Sequence, residues 1–383
     1  MVKENKPKKK EKLENSNIIK NNTDIVERKN SKQIILCVGE YTTKIILQNI
    51  SQIEKDDFGY PVFISKFSND VEEWSQAMIN QNNILGLEKN VDTHFWHQVL
   101  PSFSEDNDLM EKLNNRSIDK IKGALILSSL WDGLGSALTP TLISQFKESN
   151  TNSVAFGILP SQLQPSDAHF NAFSSVGLCL SKDFASFVLL DRDQLEKFVG
   201  IDRNGSLIKG NAVVNFLLDL IQQKKSFIEE ISELTRAFNI RTYSVLIASG
   251  SSIGVYGSLE NILSATLSRP LLNFKLSNAS IIYVIVRMPV RLKNILTKNK
   301  IELSLANWFK EKMELNSIQI SEPIYRDYEG DRIDIALFIG GFDLADIFAP
   351  IMKKIKPLKN NAIKKGLIKK KDWEVIVKEL IPN

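Results

Sequence analysis

The sequence predicts an α/β protein with two domains, and three observations support this prediction. The chain has 383 residues, of which 43% are hydrophobic, so it is long enough for two domains and a large core. Apolar runs short enough for buried strands alternate along the chain with helical patterns. In the stretch 123–146, an apolar run is followed by a turn rich in small residues and then by a helix with Leu138, Leu142 and Phe146 on one face.

The composition restricts the function and the location of the protein. The net charge is only +4, and lysines are concentrated at the two ends, in 3–12 and 353–371. The middle of the chain is therefore near neutral or acidic, which argues against nucleic-acid binding by the whole protein. Cys37 and Cys179 lie in apolar runs, so we expect buried free thiols. The sequence contains neither a membrane-length apolar run nor a signal peptide, which predicts a cytoplasmic protein.

The turn in 128–136 has the composition of an anion-binding turn. A strand, a glycine-containing turn and a helix together direct backbone N–H groups and a positive helix end toward a ligand. Gly133 and Gly135 can adopt positive φ and allow a ligand to approach the backbone closely. A phosphate group is the usual occupant of such a turn, so we predict a phosphate site here.

The same turn resembles the glycine-rich phosphate loop of the tubulin/FtsZ superfamily, which is usually written GGGTGTG or GGGTGSG. The seven positions 131–137 read WDGLGSA in this chain, so two glycines and one hydroxyl match. Trp131 and Asp132 replace glycines, and Leu134 replaces a threonine. The resemblance continues in order from about 33 to 342. It is closest to the CetZ/tubulin-like group in the step Phe170-Asn171-Ala172, and the segment 260–286 is similar to the FtsZ pattern around AEEAAISSPLL.

The resemblance implies a specific architecture. It consists of a Rossmann-like N-terminal GTPase domain, a long central helix and a smaller C-terminal α/β domain. We expect five segments, namely a disordered basic tail (1–32), the nucleotide-binding domain (33–210), the central helix with an acidic loop (211–238), the C-terminal α/β domain (239–355), and a basic linker with a terminal peptide (356–383).

Two strands are expected late in the chain. The segments 318–325 and 332–339 have strand patterns and are separated by the turn 328–331, so we expect them to be neighbours in a sheet.

The resemblance also implies a GTP or GDP site, with Mg²⁺ accompanying the nucleotide, at the turns that follow the strands. The implied nucleotide contacts are Gly39, Thr42, Thr43, Asp70, Gly133, Leu134, Gly135, Ser136, Pro160, Ser161, Arg192, Asp193 and Asn211. Three of them have a second interpretation: Asp70 and Asn211 as helix N-caps, and Arg192 as a surface residue. Asn215, one turn after Asn211, is the alternative guanine-reading residue. His94 and His97 lack a third ligand nearby, so no metal site is predicted from the protein alone.

Two carboxylates are the candidate catalytic residues. Glu230 and Glu233 have the three-residue spacing that places both on one helix face. The resemblance implies that this segment enters the nucleotide pocket of the next subunit, where carboxylates orient the attacking water beside the γ-phosphate. Ile228 occupies the position where the superfamily has an asparagine. The alternative interpretation is an exposed acidic face on an ordinary amphipathic helix.

These features predict a tubulin/FtsZ-like cytoskeletal protein of cell shape or division that binds GTP weakly and hydrolyses it little. Trp131 is large enough to fill the phosphate space, and Asp132 would repel a triphosphate. The expected partners are further copies in a head-to-tail filament or an active relative, and a membrane adaptor bound through 372–383. The alternatives are an active polymerising GTPase and a binding module that does not polymerise.

Overall fold

The computed structural model describes residues 33–47, 61–65, 84–86, 92–105, 121–181, 186–202, 204–310, 312, 314–328 and 330–382. Two expectations, the tail 1–32 and the contact of Asp70, lie outside the described residues.

Within these described residues, the N-terminal half contains six parallel strands in the order β3-β2-β1-β4-β5-β6. The strands are β1 (Gln33–Val38), β2 (Val62–Ser65), β3 (Ile84–Gly86), β4 (Gly123–Ser129), β5 (Asn152–Leu159) and β6 (Ser186–Asp191). All seven residues of β4 are buried, because helices cover both faces of a parallel sheet. In a sheet of this order, ligands bind outside the carboxyl ends of the strands, near the point where the strand order reverses.

In the described part of this half, five helices and a hairpin accompany these strands. The helices are α1 (Glu40–Leu47), α2 (Trp96–Glu105), α3 (Gly133–Glu148), α4 (Ser166–Leu180) and α5 (Arg192–Lys197), and the hairpin pairs β7 (Val199–Ile201) with β8 (Leu207–Lys209). The turn 128–136 therefore leads from β4 into α3, as the sequence predicts.

The central helix is α6 (Ala212–Gln223), which is about 18 Å long. The chain turns at 224–226 and continues as α7 (Phe227–Phe238), so the segment expected to be an acidic loop is a helix of 12 residues. The two helices pack on the same side of the sheet as α1, because their apolar residues belong to one core cluster with Ile45 and Ile46.

The C-terminal half continues the same sheet. Its elements are β9 (Thr242–Ser252), α8 (Ile253–Tyr256), α9 (Leu259–Leu267), β10 (Ile281–Pro289), α10 (Lys298–Phe309), β11 (Ser317–Ile320), β12 (Ile324–Arg326), β13 (Arg332–Gly340), α11 (Ala345–Lys364) and α12 (Lys370–Leu380). β9 is parallel to β6, and β13 lies antiparallel between β9 and β10. Eleven of the described strands thus form one mixed sheet, β7 and β8 form a separate two-stranded sheet, and the predicted α/β fold is confirmed.

One predicted strand pairing is wrong. The segments expected to be neighbours form β11, β12 and β13, but β10 lies between the first two and the third. All nine residues of β10 are buried. Its backbone groups need partners on both edges, and β13 supplies one edge while β11 and β12 supply the other.

The segment 356–383, predicted to be a basic linker and a terminal peptide, is folded instead as far as the structure describes it. It forms the end of α11 and the whole of α12, which pack against α4. Trp373 stacks on Phe170 and Phe173 with ring centroids 5.6 Å and 5.4 Å apart. Gly177 allows the close approach, because a Cβ at this position would lie 2.6 Å from Ile376 Cγ2.

Two further observations concern the cysteines and the helices. Cys37 and Cys179 are free and buried, as predicted, and burial raises the pKa of both thiols. No helix in the part of the chain that the structure describes is long and apolar enough to cross a membrane.

Candidate functional site

A cleft of about 390 Å³ opens at the carboxyl edge of the parallel strands, where the sequence places the phosphate site. It is lined by Gly39, Glu40, Tyr41, Lys44, Ser65, Thr93, Trp131, Asp132, Leu134 and Arg192. Three of the predicted nucleotide contacts, Gly39, Leu134 and Arg192, therefore meet at one place.

Asp132 occupies the N-terminus of α3 with its own carboxylate. As the N-cap it accepts a hydrogen bond from the backbone N–H of Gly135 at 2.6 Å, and it accepts a second from Ser129 Oγ at 2.7 Å. Burial raises the pKa of Asp132, and these hydrogen bonds oppose the effect. The carboxylate therefore takes the position at the positive helix end that a phosphate oxygen would take.

The two glycines of this turn are required by the packing of the chain itself. A Cβ at Gly133 would lie 2.5 Å from the carbonyl oxygen of Thr93, and one at Gly135 would lie 1.9 Å from the carbonyl oxygen of Ser129. The N–H of Gly133 donates to the carbonyl of Thr93 at 2.8 Å. The glycines thus bring α3 close to β4 and to the segment before α2, a packing role that the sequence interpretation missed.

Three hydroxyls that were predicted to contact the nucleotide donate instead to backbone carbonyls just before their own helices. Thr42 Oγ1 donates to the carbonyl of Val38, and Thr43 Oγ1 donates to the carbonyl of Gly39, both at 2.7 Å. Ser136 Oγ donates to the carbonyl of Asp132 at 2.6 Å. Because the three side chains are fully buried, none of them presents a hydroxyl to the cleft.

An aromatic and cationic cluster covers one side of the cleft. The rings of Tyr41 and Trp131 meet edge to face with centroids 4.7 Å apart. The guanidinium of Arg192 lies 5.2 Å from the first ring and 5.3 Å from the second, and its Nε donates to Glu196 at 2.9 Å. Cation–π attraction of this kind holds a guanidinium against the faces of aromatic rings. Trp131 thus lines the cleft, and Arg192 faces it.

The amide of Asn211, expected to read guanine, is hydrogen bonded within the protein. Tyr41 Oη donates to Asn211 Oδ1 at 2.7 Å. Burial raises the pKa of Tyr41 to about 12, so its hydroxyl keeps the proton that it donates. Asn211 is the N-cap residue of α6, as the alternative interpretation has it, but its side chain makes no cap hydrogen bond. Asn215, the alternative, donates to the carbonyl of Ile45 at 3.2 Å.

The remaining predicted contacts stabilise the loop after β5. Asp193 accepts a hydrogen bond from the N–H of Gln162 at 2.9 Å, and Ser161 Oγ accepts one from the N–H of Leu163 at 3.2 Å. Burial alone would raise the pKa of Asp193, but hydrogen bonds from Ser161 and Gln162 hold it below its usual value. Pro160 and Ser161 therefore belong to a self-contained turn beside the cleft.

Asn171 of α4, quoted above only for the resemblance, connects two loops of the site. Its Nδ2 donates to the carbonyl of His94 at 2.8 Å and to that of Trp131 at 3.0 Å. Its Oδ1 accepts from the N–H of Trp96 at 3.2 Å. An asparagine between apolar residues of a buried helix is the signal that indicates such a role, because a buried amide needs several partners.

The two candidate catalytic carboxylates lie at the opposite edge of the sheet from the cleft. α7 packs near the amino ends of β1 and β4, where Gln33 Nε2 donates to the carbonyl of Lys225 and Ile228 contacts Gly123. Glu230 accepts from Ser226 Oγ at 2.5 Å and from Tyr283 Oη at 2.7 Å, whereas Glu233 is exposed. The two carboxylates therefore share a helix, but Glu233 is exposed whereas Glu230 is only 22% exposed at its side chain.

A buried charge cluster joins α6 to the C-terminal strands. Arg287 donates from Nε to Asp334 at 2.8 Å and from Nη1 to Asp219. Asp334 also accepts from the N–H of Gly250 at 2.7 Å. Arg287 and Asp334 are 2% and 1% exposed at their side chains. No local pattern in the sequence indicates this cluster, because its members are far apart along the chain.

The strand order and a ligand cleft at the carboxyl edge place the molecule among the doubly wound nucleotide-binding folds. Comparison with solved structures identifies the fold more closely. The chain is similar to CetZ from Methanosaeta thermophila strain DSM 6194, with a TM-score of 0.65 at 14% identity over 91% of this chain and 97% of that one. It is also similar to GDP-bound CetZ1 from Haloferax volcanii, with a TM-score of 0.66 at 13% identity, covering 86% and 99%.

A third structure, a GTPγS-bound protofilament of CetZ2 from Haloferax volcanii, gives a TM-score of 0.63 at 15% identity, covering 86% and 99%. No family model and no curated protein matches the chain by sequence. The protein therefore has the tubulin/FtsZ fold, as the resemblance implies.

Proposed function

We propose that this protein is a tubulin/FtsZ-like cytoskeletal protein that forms filaments in cell shape or division, with a guanine-nucleotide cleft partly closed by its own side chains. It binds GTP weakly and hydrolyses little of it. The observation on which this proposal rests is the carboxylate of Asp132 at the N-terminus of α3.

The phosphate side of the cleft supports weak binding. A phosphate needs unpaired N–H groups at the helix end, and the N–H of Gly135 is already hydrogen bonded to Asp132. A second anion placed beside that carboxylate would be repelled, by about 4 kcal/mol for unit charges 4 Å apart near a protein surface. A triphosphate therefore binds only after the carboxylate of Asp132 has moved aside or has taken up a proton.

The base side of the cleft supports the same conclusion. The Tyr41 hydroxyl occupies Oδ1 of Asn211, and Arg192 is held over two rings. A guanine base that donated to Oδ1 of Asn211 would compete with Tyr41 for that oxygen. Binding would then require rearrangement of the cluster, which lowers the affinity.

The arrangement of the two edges supports head-to-tail assembly. The cleft lies at the carboxyl ends of the strands and α7 at the amino ends, so stacked copies would place the α7 of one over the cleft of the next. The similar CetZ2 structure is a protofilament. Glu233 is the carboxylate that would face the neighbouring cleft, because both oxygens of Glu230 are hydrogen bonded.

Nucleotide binding by the purified full chain tests the proposal. We expect labelled GTP to bind weakly, with little phosphate release, and we expect filaments to pellet without added nucleotide. The variant Asp132→Ser keeps an N-cap oxygen but removes the charge, so it should bind GTP at least about tenfold more tightly. The matched control Asp331→Ser removes a carboxylate that also accepts from a serine hydroxyl and a glycine N–H, those of Ser252 and Gly254. Asp331 does not line the cleft, so this variant should leave GTP affinity unchanged. Tight GTP binding by the unaltered protein would contradict the closed cleft, and failure to pellet would contradict assembly.

An active polymerising GTPase is the second candidate, favoured by one observation. The cleft still has a volume of about 390 Å³ and presents Lys44 and Arg192, whose charges suit phosphates. In that case GTP with Mg²⁺ would bind tightly and be turned over. The variant Glu233→Ala would then lower phosphate release while sparing binding, whereas the first proposal predicts little turnover that the variant could lower.

A further inference from the structure

The exposed side of α11 and the turn after it form a strongly basic surface. The segment 353–371, which we call the basic segment, has 19 residues, of which nine are lysines and none is acidic. The lysines are Lys353, Lys354, Lys356, Lys359, Lys364, Lys365, Lys369, Lys370 and Lys371.

The helix period separates the charge from the core. Phe348, Ile355 and Ala362, spaced by seven residues, are buried on the inner side of α11. Lys353, Lys356 and Lys364 are exposed, and their spacing places them together on the opposite side. The fold thus fixes a row of positive charge facing solvent.

Most of this charge is uncompensated. Lys354 donates to the carbonyls of Gln162 and Gln164, and Lys370 lies 3.8 Å from Glu374. The other seven lysines form no ion pair within the residues that the structure describes. Such a concentration of unpaired charge raises the energy of the folded protein by self-repulsion, so it is explained better by an anionic partner than by stability.

An apolar side chain projects from the middle of the basic segment. Gly366 has φ of +70°, which reverses the chain between α11 and α12, and Leu367 beside it is 53% exposed. Lysines flank the turn on both sides, at 364–365 and at 369–371. The turn therefore presents one leucine surrounded by positive charge.

We propose that the basic segment binds directly to an anionic lipid membrane, with Leu367 entering the interface between headgroups and acyl chains. Lysines spread over a helix and a turn match a surface of many phosphate headgroups, and an exposed apolar side chain among them adds burial in the interface. This inference is independent of the function proposed above, because the basic segment does not line the cleft.

The side chains fit a membrane better than a nucleic acid or an acidic protein. The segment 345–382 contains no arginine, so it lacks the planar fork that binds single phosphates in two places. Its tryptophan, Trp373, is buried in the stack with Phe170, so no exposed ring there is available to stack on a base. An acidic peptide would leave Leu367 without an apolar partner.

Vesicle flotation with the full chain tests the proposal. We expect the protein to float with vesicles of phosphatidylcholine and phosphatidylglycerol but not with phosphatidylcholine alone, and binding should decrease as salt is added. Each lysine near an anionic surface contributes a factor of about five in affinity. The variant Lys353→Glu/Lys356→Glu/Lys364→Glu should therefore lower binding by at least about tenfold.

A matched variant controls for net charge. Lys122→Glu/Lys209→Glu/Lys310→Glu makes the same charge change at three exposed lysines elsewhere, and both variants keep the N-terminal lysines. The control should bind nearly as well as the unaltered protein. Leu367→Ser should lower binding while leaving its salt dependence in place.

Three outcomes would overturn the proposal. The first is an equal loss in both lysine variants or no loss in either. The second is equal binding to neutral vesicles. The third is binding of polyglutamate or single-stranded RNA that is tighter than vesicle binding and is lost in the first variant, which would assign the surface to an acidic protein or a nucleic acid.

Discussion

The two halves of the molecule each hold one aspartate carboxylate with a different kind of donor. In the N-terminal half, neutral donors hold Asp132, namely the N–H of Gly135 and the hydroxyl of Ser129 at a helix end. In the C-terminal half, Asp334 is held by the guanidinium of Arg287 within a fully buried pair. The first carboxylate faces a cleft, so it can compete with a ligand. The second lies inside the fold, where its loss affects stability alone.

The largest effect should follow from breaking the buried pair. Arg287→Met leaves Asp334 buried without its cation, and removing one partner of a buried ion pair costs about 3–5 kcal/mol. Urea unfolding should show this loss in the free energy of unfolding. The control Arg192→Met removes an arginine that is 31% exposed at its side chain and should change stability by less than about 1 kcal/mol. Similar losses in the two variants would refute the contrast between the halves.

Histidines provide a second way to distinguish the halves. All three histidines of the chain, His94, His97 and His169, lie in the N-terminal half. Burial lowers the pKa of His97, opposed by Asp92. Burial and the charge of Lys354 lower the pKa of His169, and the charge of Asp167 opposes this shift. Both contribute full stability above the unfolded pKa of about 6.5, and this contribution is lost as pH falls from there through the folded pKa.

We therefore expect the free energy of unfolding to decrease below pH 6.5, by up to about 1.4 kcal/mol per pH unit for each of the two histidines. His169→Gln should reduce this slope, as measured by urea unfolding between pH 7.5 and pH 5, a range chosen around the ordinary histidine pKa of about 6.5. Hydrogen exchange at the lower pH should increase first in α2 and α4. An unchanged slope in the variant would show that His169 is not the titrating group.

The sequence predicts the fold well where local patterns determine it. α3 follows the turn at 128–136 with Leu138, Leu142 and Phe146 buried, as the apolar spacing indicates. A glycine in a sequence does not show what its missing Cβ would meet. The sequence therefore predicts a ligand contact for Gly133 and Gly135, although these glycines lie against neighbouring backbone.

Long-range partners explain the other differences. Arg287 and Asp334 are 47 residues apart, so no window of sequence contains the pair. Lysines in 353–371 favour a linker by composition, yet the seven-residue spacing of Phe348, Ile355 and Ala362 is enough to fold α11. Burial of that inner face outweighs the repulsion among exposed lysines, because solvent and salt screen the charges.

The smallest effect concerns Asp132 as a helix cap. Asp132→Ala removes the oxygen that accepts from Gly135 and should lower the free energy of unfolding by about 1 kcal/mol. Asp132→Ser keeps a capping oxygen and should lie within a few tenths of the unaltered protein. If both variants nevertheless bind GTP more tightly than the unaltered protein, then charge rather than cap geometry closes the cleft. If only the alanine variant does so, the space that the side chain occupies is the obstacle, and the repulsion argued above is minor.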